Sequence, residues 1–329
     1  MGGDYAPQNV VAGALDALES TGGRFSLLLV GQQERIQQEL QKHTGARAFK
    51  EACTIIDARE IIEFNDGATA ALKTKKDSSI AVAITLHRDG KADAVVSAGH
   101  TGAMLSASTL ILGRIGGIGR PTIGALIPTS AHTPSLLVDA GTNVDCKPRH
   151  LFEFAVMGTT YVEAMFGKKN PSIGLLSIGE EDNKGNEVTL EAFALLKQSK
   201  LNFFGNVEGR DILKGKVDVV VCDGFVGNIL LKFGESVPAF FKSKFTDFAG
   251  RSVVNKLVAL IARSGMRSVM KELDYQEHGG VPLLGVNGVS IIGHGGSTPK
   301  AVKNMIFRAE EMVQRKVNAR IQEAMKQYA

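Results

Sequence analysis

Residues 94–113 read AVVSAGHTGAMLSASTLILG and contain no Asp, Glu, Lys or Arg. A stretch of that length is long enough to cross a bilayer. Its middle argues otherwise, because Gly99, His100, Thr101 and Gly102 interrupt the apolar run and Ser106 and Ser108 follow. The better reading is a buried strand, a glycine turn and a helix. A strand that hands over to a helix through glycines is the repeating unit of an open α/β sheet, so this reading sets the fold class for the rest of the chain.

Outward from that stretch the same succession recurs. Strand candidates are FSLLLVG (25–31), CTIID (53–57), ADAVVSAG (92–99), TIGALIPT (122–129), SLLVDAG (135–141), SIGLLSIG (172–179), LNFFGNV (201–207) and VDVVVCDG (217–224). Several are apolar on both faces, as strands of a mainly parallel, doubly covered sheet must be. Helical spacing falls between them near 7–20, 32–43, 67–88, 101–113, 148–166 and 186–198. The expectation is one doubly wound α/β unit over residues 1–329 with no readable linker. The chain opens MGGDYAPQNVVAGALDAL, a glycine turn feeding a helix. In doubly wound sheets such a turn follows a first strand, so either a first strand is missing before Met1 or the fold simply opens on a loop.

The last third differs. Residues 226–248 and 251–273 read as two long helices, the second broken near Gly265, forming a helical arm over about 230–275. In the second helix Val254, Leu257, Val258 and Ile261 repeat at helical spacing, and Arg251, Lys256, Arg263, Arg267 and Lys271 face a single acid, Glu272. A basic amphipathic helix suits an anionic membrane surface, an acidic protein partner or packing against another subunit; apolar stripes more often serve packing.

Composition narrows the function. Hydrophobic residues at 44% and charged residues at 22% are globular values, and 37 glycines against 9 prolines favour tight backbone turns. A net charge of +4 gives no nucleic-acid signature. Cys53, Cys146 and Cys222 are widely spaced, with no Cys-x-x-Cys and no histidine pair at metal-ligand spacing. Reduced thiols in a cytoplasmic protein, with no metal and no nucleotide cofactor, are therefore expected. No Gly-x-Gly-x-x-Gly, Walker loop or Gly-x-Ser-x-Gly elbow occurs. An enzyme without its own nucleophile needs a substrate that brings one, and inorganic phosphate qualifies.

Four glycine turns follow strand candidates: SAGHTGA (97–103), DAGTNVD (139–145), IGEEDNKGNE (178–187) and DGFVGN (223–228). Ligands in open α/β sheets bind beyond the carboxyl ends of the strands, so the four turns are expected to converge on one anion-binding crevice. Lys184 lies among Glu180, Glu181, Asp182 and Glu187, so a charge-balanced solvated turn is its bland reading. Asn228 could equally cap the following helix, and capping is also the plain reading of Asp4 and Asp223. His294 lies between apolar VSII and GGS and reads equally as a core histidine. LKTKKDSS (72–79) reads as a solvated basic face that an acidic partner could also meet.

Taken in order, MGGDYAP, SAGHTGA, DAGTNVDCKP, GEEDNKGNE, DGFVGN and GHGGS (293–297) resemble the PlsX family, the acyl-ACP:phosphate acyltransferases of bacterial phospholipid synthesis, over essentially the whole chain. The resemblance implies a Rossmann-like α/β/α sandwich similar to isocitrate and isopropylmalate dehydrogenases and phosphotransacetylases. It implies reversible transfer of a fatty acyl group from acyl carrier protein to phosphate, with the acyl-phosphate passing to a membrane acyltransferase that acylates glycerol 3-phosphate. It also implies a homodimer, peripheral membrane association and a few residues before the Met-Gly-Gly-Asp. Lys184 matches the family's catalytic lysine and Asn228 its catalytic asparagine. The further ligand candidates are Gly3 and Asp4 of the first turn; Gly99, His100, Thr101 and Gly102 of the second; and Asn143, Gly185, Asn186, Asp223, Gly227, His294 and Ser297 of the others. Two departures stand out: His100 where the family commonly has asparagine, and Thr142 where a smaller residue is usual. The rivals are a phosphate acetyltransferase using acyl-CoA, a decarboxylating dehydrogenase, and a non-catalytic scaffold for carrier protein or membrane.

Overall fold

The computed structural model describes residues 1–43, 52–131, 133–272, 277 and 279–328, without side chains at 268, 271 and 272. The expected side-chain contacts of Lys271 and Leu273 therefore lie outside the described residues. Ten strands form among the described residues: β1 (Leu27–Gly31), β2 (Cys53–Asp57), β3 (Ala94–Ser97), β4 (Thr122–Ile127), β5 (Ser135–Val138), β6 (Ile173–Leu176), β7 (Phe203–Val207), β8 (Val219–Val221), β9 (Val281–Leu284) and β10 (Val289–Ile292). All eight expected strands are among them. Eight of the ten share one sheet in the order β3-β10-β9-β4-β5-β8-β6-β7, and β1 pairs with β2 alone.

The pairs β3–β10, β5–β8, β6–β8, β6–β7 and β1–β2 are parallel. The pairs β10–β9, β9–β4 and β4–β5 are antiparallel. Three reversals therefore separate β3 and β10 from β5, β8 and β6. The turns after these two sets of strands leave the sheet in opposite strand directions, and the simple picture of four turns on one row of parallel strands is corrected.

Helices cover both faces, because alternate residues of each strand point to opposite sides. Leu136, Val138, Val219 and Val221 pack on one side with Phe154, Met157 and Tyr161 of α6 (Pro148–Phe166). That layer continues through α7 (Glu187–Lys197), α11 (Pro299–Gln314) and α12 (Val317–Lys326). Leu137 and Val220 face the other side with Ile84 and Met104 of α4 (Ser79–Arg88) and α5 (Thr101–Ala107). A third cluster joins β1 to α1 (Gln8–Thr21) and α2 (Gln33–Lys42). The single helix expected over 67–88 is two, α3 (Ala68–Thr74) and α4, because the buried Ser78 side chain accepts from Ala81 N at 3.4 Å and starts a new helix. The short α8 (Gly209–Ile212) precedes β8.

Beyond β8 run α9 (Gly224–Gly250), with Pro238 inside it, and α10 (Val253–Glu272). The break expected near Gly265 is absent; α10 passes through it, since one interior glycine costs only about 1 kcal/mol of helix propensity. The two helices pack on each other, yet Val254, Leu257, Val258 and Ile261 are all exposed, Ile261 at 81%. The apolar stripe does not pack into the core of its own chain. No helix among the described residues is long and apolar enough to cross a membrane, and residues 94–113 form β3, a turn and α5 continued by a π-helical turn.

A cavity of about 500 Å³ separates β1 from β3. Leu27, Leu29, Val95 and Val96 line its two sides, Ala14 and Met305 one face, and Ile80 and Ala83 the other. Each of these two strands has a hydrogen-bonded neighbour on one side only. Met1 lies at one end of the cavity, its side chain against Gly31 and its amine donating to Ser79 Oγ at 3.2 Å.

Burial, helped by the nearby Arg35 charge, lowers the Met1 amine pKa from 8.0 to about 6. The unfolded amine binds a proton near pH 8 that the folded one resists until about 6. Stability is therefore expected to fall by on the order of 2 kcal/mol as pH is lowered from above 8 to below 6. Denaturant midpoints across that window check it. An unchanged midpoint across that window would contradict the burial of the amine.

Candidate functional site

Strands β5, β8 and β6 are parallel neighbours in that order, so the turns that follow them emerge side by side. The β5 turn is organised by Asp139, which has 0% exposure. Its Oδ1 accepts from Gly141 N and Thr142 N, both at 3.0 Å. Its Oδ2 accepts from Thr142 Oγ1 at 2.6 Å, Asn143 N at 2.7 Å and Asn143 Nδ2 at 2.8 Å. Five donors disperse the charge of a carboxylate removed from water. The Asn143 amide also donates to Pro121 O at 2.8 Å, so this candidate phosphate contact is tied into its own loop.

The β8 turn locks onto the first. Gly224 N donates to Asn143 O at 2.7 Å, and Asp139 N donates to Cys222 O at 3.0 Å. Asp223 caps α9 by accepting from Val226 N at 2.8 Å. Asn228 therefore does not cap the helix; it stands half-buried one turn inside it, against Gly141. A Cβ on Gly227 would lie 1.8 Å from Asp139 O, so the α9 backbone sits directly on the β5 turn.

The β6 turn carries Lys184. Ser177 Oγ donates to Lys184 O at 3.0 Å, and Asn206 Nδ2, buried on β7, donates to Glu181 O at 2.8 Å. Gly185 adopts φ +127°, a conformation L side chains resist, and Asn186 caps α7 by accepting from Thr189 N at 2.9 Å. Glu180 pairs with Lys216 at 2.8 Å and Asp182 with Lys197 at 2.7 Å. The Glu180 hydrogen bond holds the Lys216 ammonium above its ordinary pKa. Among the described residues Lys184 makes no ion pair, while two of its four neighbouring acids, Asp182 and Glu180, are paired with other lysines. Its ammonium is exposed at the mouth of the turn.

Two thiols lie beside this group. Cys146 Sγ donates to Asn143 O at 3.4 Å and Cys222 Sγ to Asp139 O at 3.5 Å. Burial and the adjacent Asp139 charge push Cys146 up to about 12 and Cys222 well above its usual value. Both stay protonated near neutral pH, and neither is an activated nucleophile.

The remaining candidates form a second constellation at the turns after β3 and β10. Asp4 N donates to Gly295 O at 2.9 Å, and Gly293 N to Ser97 O at 2.8 Å. A Cβ on Gly3 would meet Ala98 O at 2.8 Å, which explains a glycine there. Gly99 N donates to Ser97 Oγ at 3.2 Å. His100 caps α5 through Nδ1, which accepts from Ala103 N at 3.2 Å; Nε2 then holds the proton and donates to Asp66 O at 3.2 Å. An imidazole thus performs the capping that a carboxamide oxygen would, and its ring stacks on Phe64 with centroids 6.1 Å apart. Thr101 and Gly102 form the first turn of α5. His294 is exposed, not a core histidine, and its Nδ1 accepts from Gly296 N at 3.2 Å. Ser297 Oγ donates to His294 O at 2.6 Å.

The chain matches the family described as "Fatty acid synthesis protein" over residues 1–320. It is 48% identical over 324 residues to the phosphate acyltransferase of Heliobacterium modesticaldum, covering 98% of this chain and 95% of that protein. Identity to the phosphate acyltransferase of Dictyoglomus turgidum is 46% over 326 residues, covering 99% and 96%. A phosphotransacetylase from Streptococcus pyogenes superposes with a TM-score of 0.62 at 18% identity, over 94% of this chain and 92% of that one. A branched-chain phosphotransacylase from Enterococcus faecalis V583 gives 0.52 at 16% identity, over 88% and 99%. At such identities the likeness is one of fold: a mainly parallel sheet between helical layers.

The closest fit in the site yields a stability prediction. Gly227→Ala forces a methyl group against the Asp139 carbonyl, and both partners are backbone. The substitution is expected to cost about 2–3 kcal/mol in urea unfolding; a loss under about 0.5 kcal/mol would contradict the packing described.

Proposed function

The chain belongs to the phosphate acyltransferase family, and from that premise we propose how its residues move an acyl group onto inorganic phosphate. It is a transferase of fatty acid and phospholipid synthesis. The unpaired ammonium of Lys184, on the turn after β6, the strand beside the β8 that leads into the Asn228 helix, is the observation that carries the assignment of residues. The protonated thiols support it, since neither Cys146 nor Cys222 competes as nucleophile.

In this reading Lys184 pairs with phosphate as a point charge and holds one phosphate oxygen against the thioester carbonyl carbon. A C–O bond forms and the carbonyl becomes a tetrahedral oxyanion. Asn228 Nδ2 donates to that oxyanion, an interaction worth roughly 3 kcal/mol. Collapse breaks the C–S bond, the thiolate leaves and takes a proton from solvent, and acyl-phosphate remains. Gly185, Asn186, Asn143 and Gly227 shape the turns around the phosphate, and Asp223 fixes the start of α9. The constellation of Gly3, Asp4, Gly99, His100, Thr101, Gly102, His294 and Ser297 is assigned to further substrate contacts. The acyl donor is assigned as acyl carrier protein, with acyl-CoA as the alternative; the product would pass to a membrane acyltransferase.

The exposed stripe of α10 supports a docking role for the arm. Val254, Leu257, Val258 and Ile261, with the basic Arg263 and Arg267, suit an anionic membrane surface or the acidic carrier protein, and an apolar face of this size also suits a homodimer. Peripheral attachment of a cytoplasmic enzyme follows from this reading.

Phosphate-dependent release of carrier thiol from long-chain acyl-ACP tests the reaction, with acyl-CoA in parallel to identify the donor. Asn228→Ala is expected to lower kcat about 100-fold or more, and Lys184→Ala to lose at least as much in kcat/KM for phosphate. Near-normal rates in both would refute the roles. Replacing Val254, Leu257 and Val258 with serine should release the protein from anionic liposomes in sedimentation, and unchanged sedimentation would reject the membrane role.

A further inference from the structure

Asp139 has no part in the chemistry above, yet it is the most heavily hydrogen-bonded carboxylate of the site. It is fully buried, and the contacts that fill its two oxygens all come from Gly141, Thr142 and Asn143. We infer that Asp139 is a positioning residue for acyl transfer, acting through Gly141 on the Asn228 carboxamide. The inference rests on the acyl-transfer reading.

The path is short and made of backbone. Oδ1 accepts from Gly141 N at 3.0 Å, which sets where the Gly141 peptide lies. Gly141 adopts φ +138°, and a Cβ there would meet Asn228 Cβ at 3.2 Å and its Cγ and Oδ1 at 3.3 Å. The carboxamide therefore rests on the bare α-carbon of Gly141. Oδ2 acts on the other side of the same residue: a Cβ on Gly224 would lie 2.9 Å from it, so the carboxylate abuts the start of the helix that carries Asn228. The Asp139 carbonyl completes the seat by touching Gly227. One residue thus fixes both the surface under the Asn228 side chain and the backbone from which that side chain projects. An oxyanion donor works only where its N–H is aimed before the charge develops, and displacement by an ångström can cost two orders of magnitude.

Replacing the carboxylate by a carboxamide keeps the volume but turns one acceptor into a donor. In Asp139→Asn the new NH2 faces either Gly141 N and Thr142 N or Asn143 N and Nδ2, and the turn must shift to separate the like groups. The expected signature is a kcat about 10–100-fold lower, read at saturating phosphate so that any effect through Asn143 on phosphate binding is kept apart from it. Since the effect runs through Asn228, it should vanish where Asn228 has no carboxamide. The double variant Asp139→Asn/Asn228→Ala should match Asn228→Ala within about twofold, whereas independent residues would give multiplied losses.

The test is this double-mutant cycle in the acyl-ACP thiol-release assay, with circular dichroism to confirm folding. If Asp139→Asn does not fold, Gly141→Ala replaces it in the cycle, since it disturbs the same seat from the other side. A kcat loss that disappears in the Asn228→Ala background supports the inference. Multiplied losses, or an unchanged kcat in a folded single variant, overturn it alone. Absence of phosphate-dependent turnover in the unsubstituted protein overturns the acyl-transfer reading and this inference together.

Discussion

A carboxylate removed from water must be surrounded by donors or must lose its charge. Asp139 meets that demand with three backbone N–H groups, a hydroxyl and an amide, all within four residues of itself. This forces the chain after β5 into a tight turn, and the shape of the turn determines the rest. Gly224 and Gly227 can approach only because they lack side chains, and α9 is seated where its first turn meets the carboxylate's own backbone. The β6 turn then lies next along the sheet, held from below by Asn206. The β5 and β8 turns are thus backbone close-packed around one buried charge, with the Lys184 turn beside them.

Much of this was legible in the sequence because the strands are short apolar runs, five of the eight ended by glycine. The eight strands from β1 to β8 stood out on that pattern. β9 and β10 did not, since VPLL and VSII are four-residue runs within a glycine-rich segment and Pro282 argues against a strand. Strand direction was less accessible. Periodicity does not reveal that β4 and β5 pair as antiparallel neighbours. That is one of the three reversals that divide the glycine turns into two constellations.

Site residues were legible to different depths. Lys184 and Asn228 came from family resemblance, because a lysine among acids and an asparagine after a strand each have an ordinary explanation. Only coordinates show that Lys216 and Lys197 take the acids, and that Asp223 rather than Asn228 caps α9. His100 looked like a departure from the pattern, yet its ring nitrogen supplies the acceptor that a carboxamide would. Asp139 was visible in DAGTN but indistinguishable from a turn aspartate; five donors converging on one side chain is a three-dimensional fact.

The helix α9 joins two regions that would otherwise have no mechanical relation. Its first turn bears Asn228, and from there to Gly250 it rises roughly 30 Å along a single rod, ending beside the exposed face of α10. Pro238 lacks the N–H that would tie it to the preceding turn, so flexing is easiest there. A body that grips the outer half of the rod can transmit torque to its foot, or dissipate it at the proline. A load on the outer half of α9 and the packing of its foot against Gly141 are, in this architecture, two ends of one lever.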